Sequence, residues 1–432
     1  MTILSNHNTP DLSLFFHDNN VKIFEKKTDI YDQITSFLDS HNDDAFYIVD
    51  LSHILYQYAR WKQLLPDIIP YYAMKCNPNP VIIRLLALLG CGFDCASREE
   101  ISAIKEQNVA PDRIIYANPC KESGQIKYAR SQDVDTLVFD DVNELYKIKL
   151  YHPYANLVLR IATDDRYSMC RFSCKFGCST TRETLHAIFG VCKALELNLT
   201  GVSFHVGSGC QSVESYKKAI SDSAMIFKEA KEFGFHMNLL DIGGGFPGMD
   251  SMSIVEGEHD FPQKVENPNA LSFEEIAKSI QQILNEKFTV DELKEMKIIA
   301  EPGRYFVSGS HTLCLNVIGK KQKRNEETNK KEFIYYMNEG VYGSFNCIFF
   351  DHAQPDLYPY NERDGTRYTS TVFGPTCDSM DIIHKNLELP ELAIGEWCFV
   401  PNFGAYTLAA ASNFNGFQKT KCFYVFQYLQ DL

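Results

Sequence analysis

The sequence lacks three features that would each point to a different class of protein. No apolar run is long enough to span a bilayer, and residues 1–20 carry neither a basic segment nor a small-residue cleavage site. Positive charge is not in excess either, because the net charge is −14, which argues against a nucleic-acid surface. These absences predict a cytoplasmic protein that binds neither a membrane nor nucleic acid.

The 14 cysteines do not indicate a disulfide framework, because a cytosolic compartment keeps thiols reduced. Cys170, Cys174 and Cys178 follow one another at steps of four and hint at a metal site. Zinc sites favour closer pairs with a fourth ligand, and iron–sulfur loops mix steps of three and four. We therefore interpret these three residues as small buried or half-buried thiols and expect no bound metal.

A repeating unit occupies the chain between about residues 70 and 305. Short apolar strands such as "RIIYANP" and "NLVLRIA" alternate with segments of helical periodicity such as "REEISAIKEQ". Strands that alternate with helices predict a parallel sheet, and eight strands over this length predict a (β/α)8 barrel of the TIM type. A doubly wound open sheet is the alternative, and it usually has fewer strands.

After Arg304 the pattern changes to strands separated by turns, as in "EFIYYMNEG" and "KCFYVFQY". This predicts a second, mostly antiparallel β domain, a sandwich or barrel, made of residues 308–432 and joined by 1–45 through "VKIFEKK". The barrel then spans residues 46–307. The charged run at 320–332 predicts a solvated hairpin tip or loop, and the polar stretch at 249–269 predicts a loop.

Polar residues follow the predicted barrel strands where each strand ends. In this fold the carboxyl ends of the strands form the functional face, so these groups should converge at one mouth. They include Lys75 in "YYAMKCNPNP". A lysine at a strand end is usually a solubilising charge, but one held in an apolar pocket becomes a nucleophile that forms Schiff bases.

The segment "DIGGGFPG" allows two interpretations. Gly243, Gly245 and Gly248 fit the pattern of a dinucleotide site, but no clear helix follows Pro247, as that motif requires. We favour a backbone cradle, in which glycines let amide N–H groups approach a phosphate. Barrels often bind phosphate after strands seven and eight, where Arg304 of "EPGR" would be the charged partner.

A single cofactor accounts for these groups together. Pyridoxal phosphate offers an aldehyde to Lys75, a phosphate to the glycine cradle, and a ring nitrogen that the carboxyl of Glu301 would keep protonated. His205 would then be the flat group stacked on the ring, and Ser208 would donate to the phosphate. Taken alone, a histidine in an apolar strand is more often a core residue.

At this point the chain resembles a known family, the eukaryotic ornithine decarboxylases, which belong to the alanine-racemase-like group of pyridoxal-phosphate enzymes. The resemblance extends over nearly the whole length. The motifs that carry it are "YYAMKCNPNP", "GFDCAS", "ANPCK", "CRFSCKFG", "SFHVGSG", "GGGFPG", "EPGRYF", "GVYGSFNCIFFDH", "GPTCDSMD", "GAYT" and "FNGFQ".

The resemblance implies decarboxylation of L-ornithine to putrescine, the first step of polyamine synthesis. Lys75 would form the Schiff base with the cofactor, and Cys377 would return a proton to Cα after carbon dioxide leaves. The residues implied to bind the cofactor are Lys75, Asp94, Arg160, His205, Ser208, Gly243, Gly244, Gly245, Glu301, Arg304 and Tyr406. The residues implied to bind the substrate are Asp351, Asp378, Tyr342 and Phe414.

The resemblance also implies a homodimer whose two active sites are shared, with Tyr342, Cys377, Asp378 and Phe414 coming from the partner subunit. Lys175 and Asp381 would form a salt bridge across the interface, and an antizyme-like regulator is a further possible partner. Lysine or arginine decarboxylation and a catalytically inactive regulatory homologue are the alternatives. Asn402 departs from the family, which commonly has an acid there. We expect this departure to affect local loop packing or surface charge and not Tyr406.

Overall fold

The computed structural model describes residues 12–38, 43–163, 168–170, 173–248, 271–361 and 363–427. The chain divides into two compact units. One consists of Met1–Gln57 with Phe306–Leu432, and the other of Tyr58–Tyr305. The predicted loop at 249–269 lies outside the described residues. No helix in the described ranges is both long and apolar enough to cross a membrane.

The first described elements come before the barrel. They are α1 (Ser13–Asp18), β1 (Lys22–Phe24), α2 (Ile30–Leu38), β2 (Phe46–Asp50) and α3 (Leu51–Leu64). Strand β2 begins at the predicted domain boundary, but it pairs with strands from the C-terminal part of the chain. Residues 46–49 of this strand are all buried, as expected of a strand in the middle of a sheet.

Eight parallel strands form a closed barrel, which confirms the prediction from the alternating pattern. The strands between residues 68 and 300 are β3 (Ile68–Ala73), β4 (Gly92–Cys95), β5 (Ile114–Tyr116), β6 (Thr136–Phe139), β7 (Asn156–Arg160), β8 (Ser168–Cys170), β9 (Asn198–Ser203), β10 (Ser208–Cys210), β11 (Leu239–Asp241) and β12 (Lys297–Ala300). All but β8 and β10 belong to the barrel, whose order is β11-β12-β3-β4-β5-β6-β7-β9. Strands β8 and β10 pair with each other.

Helices follow the barrel strands. They are α4 (Pro80–Leu88), α5 (Arg98–Glu106), α6 (Ser123–Ser131), α7 (Val142–Tyr151), α8 (Arg182–Ala194), α9 (Val213–Glu232), α10 (Phe273–Lys287), α11 (Val290–Glu295) and α12 (Arg304–Val307). Local sequence explains several starts. Asn79 caps α4, whose first residue is Pro80, and Ser272 with Glu275 forms a capping box on α10.

The centre of the barrel is filled by side chains. One buried cluster joins Tyr71, Ile115, Ala117, Val138, Val158, Leu239 and Ile299, which come from six of the strands or directly follow one. Burial of this apolar surface is the main stabilising contribution to a barrel. Because the centre is closed, polar groups at the carboxyl ends of the strands lie at a mouth and not in a pore.

The C-terminal part completes a second sheet of nine strands. Its elements are β13 (His311–Arg324), β14 (Lys331–Met337), α13 (Cys347–Phe350), β15 (Tyr358–Pro359), β16 (Arg367–Phe373), β17 (Ile382–Pro390), β18 (Trp397–Val400) and β19 (Lys421–Gln427). The long path is β1-β19-β2-β13-β14-β16-β17, and β18 pairs with both β13 and β15.

Strand β13 organises this sheet. Its first half pairs with β2 and β18, and its second half pairs with β14 in a hairpin. The hairpin confirms the prediction for the charged run at 320–332. Strand β1 joins the sheet beside β19, as "VKIFEKK" predicts. Five strand pairs in the described sheet are antiparallel and three are parallel.

Candidate active site

Lys75 lies at the mouth of the barrel, in the 3-10 turn Met74–Cys76 that directly follows β3. Its Nζ donates a short hydrogen bond to Oδ2 of Asp94 on the neighbouring strand β4. The Asp94 side chain is almost fully buried. The Lys75 side chain is 40% exposed, so the amine is open to the mouth and is not enclosed in an apolar pocket. A buried carboxylate therefore holds an accessible amine at this position.

His205 follows β9 and presents an uncharged ring at the same mouth. Burial, together with the positive charges of Arg160 and Lys75, lowers the pKa of His205 well below its ordinary value. The amide of Gly207 donates to Nδ1 of His205 at 3.0 Å, which fixes the ring. Arg160, His205 and Glu301 line one narrow internal space, so the strand ends converge as predicted.

The glycine turn after β11 leaves no room for side chains. Gly243 and Gly245 have φ of +63° and +103°, in the left-handed region. A Cβ at Gly244 would lie 2.7 Å from Nε2 of His205, and a Cβ at Gly243 would lie 2.0 Å from the carbonyl oxygen of Phe204. The three glycines therefore let the backbone pass close beside the histidine, as a ligand cradle requires.

Ser208 and Arg304 lie beside this turn. Arg304, the first residue of α12, donates from Nη2 to Oγ of Ser208 at 3.2 Å. The amide of Cys210 donates to the carbonyl of Gly245 at 3.3 Å, which ties the Ser208 segment to the glycine turn. A guanidinium, a hydroxyl and glycine amides at one corner form a donor set suited to an anion such as phosphate.

Two buried carboxyl groups face each other between β11 and β12. Asp241 ends β11 and is fully buried, and Glu301 follows β12 and is 8% exposed. Burial, followed by the negative charges of Asp241 and Asp94, raises the pKa of Glu301 well above its ordinary value. The amide of Glu301 donates to the carbonyl of Gly243 at 2.7 Å, so the glycine turn also fixes this acid.

Four further predicted residues, Tyr342, Cys377, Asp378 and Phe414, form a group that we call the thiol cluster. The Tyr342 hydroxyl donates a short hydrogen bond to Oδ2 of Asp378. The rings of Tyr342 and Phe414 stack with centroids 4.2 Å apart. The amide of Cys377 donates to Oδ1 of Asn415, the residue after Phe414, at 3.0 Å. Four residues predicted from distant motifs are thus brought together.

The thiol cluster presents both of its chemical groups to solvent. Cys377 is exposed and Asp378 is half-buried. The amide of Met380 and the hydroxyl of Tyr342 lower the pKa of Asp378, so its carboxylate stays ionised. An anchored carboxylate beside an aromatic pair is suited to receive a cationic group.

Asp381 joins the two loops that carry this cluster. It is fully buried, and Oδ1 accepts the amide of Val341 at 2.8 Å, beside Tyr342. Oδ2 accepts the amide and the hydroxyl of Thr376, beside Cys377, at 3.0 and 2.7 Å. The interface salt bridge between Asp381 and Lys175 stays a prediction. Lys175 is exposed and lies over the ring of Phe176.

The other predicted residues occupy distinct positions. Asp351 is buried directly after α13, and its amide donates to the carbonyl of Cys347 at 3.0 Å. Tyr406 has φ of +57°, which is rare for an aromatic residue and typical of functional sites. Asn402 also has φ of +57°. Asparagine and aspartate both tolerate this conformation, so either residue fits the backbone at this position.

Sequence reasoning missed three buried charged residues. Asp241 lies in "LLDIGGG". An acid at the end of an apolar strand could have indicated a buried carboxyl group there. Lys121 of "ANPCK" is buried, pairs with Glu144 at 3.0 Å and donates to the carbonyl of Val138 at 2.6 Å. Glu339 is buried and accepts from the amides of Gly340 and Ser344. Lys121 and Glu339 hold loops in place. The sequence around them does not show that they are buried.

The three-cysteine cluster is only partly described. Cys174 is exposed and Cys178 is buried, and burial raises the pKa of the Cys178 thiol to about 12. The Cys170 side chain lies outside the described residues. Among the side chains that the structure describes, no group of three or more His, Cys, Asp or Glu residues is arranged to hold a metal ion.

The chain matches a family model of the pyridoxal-dependent decarboxylases. The model of their pyridoxal-binding domain matches residues 51–308. This range contains the whole barrel and every residue that the sequence placed at its mouth.

Curated proteins and a solved structure are similar over most of the chain. Ornithine decarboxylase of Mus musculus is 45% identical over 408 residues, which are 92% of this chain and 84% of that protein. Antizyme inhibitor 2 of Xenopus laevis is 44% identical over 405 residues, with the same coverage of each chain. The crystal structure of Paramecium bursaria Chlorella virus arginine decarboxylase superposes with a TM-score of 0.81 at 32% identity, covering 91% of this chain and all of that one.

Proposed function

Because this chain belongs to the pyridoxal-dependent decarboxylase family, we propose that it decarboxylates L-ornithine to putrescine and carbon dioxide. The observation that carries the proposal is the set of groups at one barrel mouth. An accessible amine, a neutral imidazole, a buried carboxyl group and an anion cradle converge there. Ornithine is favoured over other amino acids because the curated decarboxylases that are 40–45% identical to this chain carry that name.

The residues at the mouth fit pyridoxal phosphate. Lys75 offers the amine for the aldehyde, and Glu301 offers a carboxyl group for the ring nitrogen. Gly243 to Gly245 form a cradle that any Cβ would fill, and Ser208 and Arg304 lie beside it as phosphate donors. When bound, the cofactor supplies an electron-accepting ring that stabilises the negative charge left at Cα as carbon dioxide departs.

The chain's own residues then have distinct tasks. Asp94 orients the Lys75 amine and accepts its hydrogen bond. His205 is neutral beside Arg160 and Lys75, so its ring can stack on the cofactor without adding a positive charge. Arg160 lines the same space, and we propose that Tyr406 is a further phosphate ligand.

The thiol cluster supplies the remaining chemistry in this proposal. Cys377 carries the thiol proton that returns to Cα, and the hydrogen bond between its amide and Asn415 positions it. Asp378, held by Tyr342, receives the distal ammonium of ornithine together with Asp351. Phe414 stacks on Tyr342 and shapes the pocket wall. Two short acids suit a single ammonium better than the longer guanidinium of arginine.

We propose that a second copy of the chain provides the thiol cluster for each barrel mouth, so the enzyme is a homodimer. Apolar side chains are exposed beside the cluster, with Met380 61%, Phe414 42% and Phe417 44% exposed, as expected of a surface that a partner covers. Lys175 and Asp381 are the proposed interface pair. Cytoplasmic location and an antizyme-like regulator are proposals that rest on the family.

The second sheet is proposed to fold on itself as a mostly antiparallel sandwich. The support is strand β13, whose two halves pair with different partners and so carry the sheet around a bend.

An inactive regulatory homologue is the second candidate, because Antizyme inhibitor 2 is nearly as similar to this chain as the decarboxylases are. The residues proposed for catalysis argue against it. Lys75, Asp94, His205, Glu301 and Cys377 are all present, and each of them makes a contact suited to its task.

Carbon dioxide release from L-ornithine, L-lysine and L-arginine, measured in parallel with added pyridoxal phosphate, tests the proposal. We expect the highest kcat/KM with ornithine. A preference for lysine or arginine would leave the cofactor site intact and refute the pocket assignment of Asp351 and Asp378. Release from none of the three, with no uptake of the cofactor, would refute the enzyme and favour the regulatory homologue.

A further inference from the structure

Asp241 is a buried acid that the proposed chemistry does not yet use. It ends β11 inside the barrel, in register with Ser203 of β9 and Ile299 of β12. Its Oδ1 accepts the amide of Gly243 at 2.9 Å. Its Oδ2 is buried and receives no hydrogen bond from an N–H or O–H donor of the described residues. A buried acceptor without a donor is costly, so this carboxyl group needs another partner.

The partner within reach is the carboxyl group of Glu301, which lies in hydrogen-bonding contact with Asp241. Two carboxyl groups can form a hydrogen bond only when one of them carries a proton. The backbone links them as well, because Gly243 donates to Asp241 and accepts from the amide of Glu301 at 2.7 Å. Asp241 therefore contacts the side chain of Glu301 and also the backbone of Gly243, which holds the Glu301 amide.

The surrounding charges favour retention of one proton by this pair. The charged groups that face it are Asp94 from β4, Lys75 after β3 and Arg160 from β7. His205 after β9 is neutral, and the Tyr216 hydroxyl of α9 donates to the carbonyl of Gly244 with its pKa raised by burial. The three acids are Asp241, Glu301 and Asp94, and the two bases are Lys75 and Arg160. One proton on the acids therefore makes the net charge of the five groups zero. Burial raises the pKa of Asp241 to about 7.

We propose that Asp241 is a positioning residue that shares one proton with Glu301 and donates it as a hydrogen bond, which leaves a Glu301 oxygen free for the ring nitrogen of pyridoxal phosphate. This inference rests on the proposed role of Glu301 in binding the cofactor. Asp241 does not touch the reacting atoms and acts through Glu301 alone.

The shared proton makes the cofactor-free protein sensitive to pH in a defined direction. Unfolded aspartate and glutamate lose their protons near pH 4, whereas between pH 4 and pH 7 the folded pair retains protons, because burial raises the pKa of Asp241 to about 7 and that of Glu301 well above its ordinary value. The folded state binds more protons in that window, so the stabilising contribution of the pair is complete below pH 4. It is lost as the pH rises through about 7.

Asp241→Asn is the informative variant, because an amide can accept from Gly243 and donate to Glu301 without titrating. Asp140→Asn is the matched control. Asp140 follows β6 and accepts the amide of Gly177 at 2.8 Å, as Asp241 accepts that of Gly243. Thermal unfolding of the cofactor-free proteins from pH 5 to pH 8 should show a falling midpoint in the wild type and Asp140→Asn, and a clearly smaller fall in Asp241→Asn.

Cofactor affinity separates a proton donor from a structural acid. At pH 7, Asp241→Asn should bind pyridoxal phosphate within about threefold of the wild type, whereas Asp241→Ala should bind it roughly tenfold or more weakly. Equal pH dependence in the wild type and Asp241→Asn would overturn the shared proton. If Asp241→Asn binds the cofactor as weakly as Asp241→Ala, the donor role is overturned. Cofactor binding would then depend on the negative charge of the Asp241 carboxylate.

Two further points keep the test independent of other outcomes. If Asp241→Ala does not fold, the infrared absorbance of protonated carboxyl groups decides the question, because it should be weaker in Asp241→Asn than in the wild type. The unfolding experiment uses no substrate, so it stands even if the wild type fails to decarboxylate ornithine. Cofactor uptake without ornithine turnover would refute the proposed reaction and leave the Asp241–Glu301 pair in place.

Discussion

The barrel mouth and the thiol cluster hold their chemical groups in opposite ways. At the mouth, strand ends fix buried groups whose charges act on one another, and the pKa values of His205 and Glu301 depart strongly from their ordinary values. In the thiol cluster, loops carry an exposed Cys377 and a half-buried Asp378. The mouth is suited to hold a cofactor permanently, whereas the thiol cluster is suited to meet a substrate that enters and leaves.

The contacts that hold the residues of the barrel mouth in place also differ from those that hold the thiol cluster. Asp241, Gly243 and Glu301 are linked through the backbones of adjacent parallel strands. The thiol cluster depends instead on Asp381, a single buried carboxylate that accepts from two loops. Rigid strands tolerate the loss of one contact better than loops do, so mutations should act chiefly on chemistry at the mouth and on both stability and chemistry at the cluster.

Lys75→Ala should give the largest effect, a loss of kcat of roughly 10³-fold or more, because the amine that binds the aldehyde is removed. The visible absorbance of bound pyridoxal phosphate should change with it. Lys297→Ala is the matched control, since Lys297 begins β12 at the opposite end of the barrel. Near-normal turnover in Lys75→Ala would refute the assignment of the mouth.

Cys377→Ala should lower the rate of putrescine formation by about 10²-fold, because the proton donor to Cα is lost. The melting temperature should stay close to that of the wild type, since the side chain is exposed. Cys422→Ala, on β19, controls for the loss of a thiol. Unchanged putrescine formation in Cys377→Ala, as in the control, would show that the thiol cluster does not supply the proton.

Asp381→Ala should destabilise the fold by about 2–4 kcal/mol, because the buried amide of Val341 and the partly buried amide of Thr376 lose their acceptor. Denaturant unfolding measures this loss, and kcat should fall at the same time because both loops of the thiol cluster are released. Asp381→Asn keeps one acceptor oxygen and should lie between the wild type and Asp381→Ala. A stable Asp381→Ala with reduced dimerisation would instead support a role confined to the interface.

Asn402→Ala should cost about 1 kcal/mol, the smallest effect, because alanine is strained at φ of +57°. Asn402→Asp should be nearly neutral, since aspartate tolerates the same conformation. Thermal unfolding of both variants measures the difference. A loss of activity in Asn402→Asp without a loss of stability would show that the departure from the family affects the site itself.

The sequence was sufficient for the barrel and for most of its mouth. Alternating strands and helices predict the fold, and the carboxyl ends of parallel strands must meet, so Lys75, His205 and Glu301 could be placed together without coordinates. The contact between Asp241 and Glu301 could not be predicted, because it depends on the register of β11 against β12. Register is a long-range property that local patterns do not specify.

The second sheet shows the same limit more strongly. Strand β17, which pairs with its sequence neighbour β16, was not predicted. The parallel pairs of β19 with β1 and β2 join distant parts of the chain and were not predicted either. The burial of Asp381 was also missed, because a short acid in a loop reads as a turn residue or a surface charge. Motifs located the thiol cluster only through the family resemblance, since no local periodicity connects Tyr342, Cys377 and Phe414.

Subunit complementation tests most directly the central claim, that the mouth of one copy works with the thiol cluster of another. Lys75→Ala and Cys377→Ala, each nearly inactive alone, would be mixed in equal amounts and allowed to exchange subunits. Half of the dimers then contain one intact pair of regions, so putrescine formation should recover to about a quarter of the wild-type value. No recovery, despite proven exchange of subunits, would contradict the shared site and place all of the catalytic groups in a single chain.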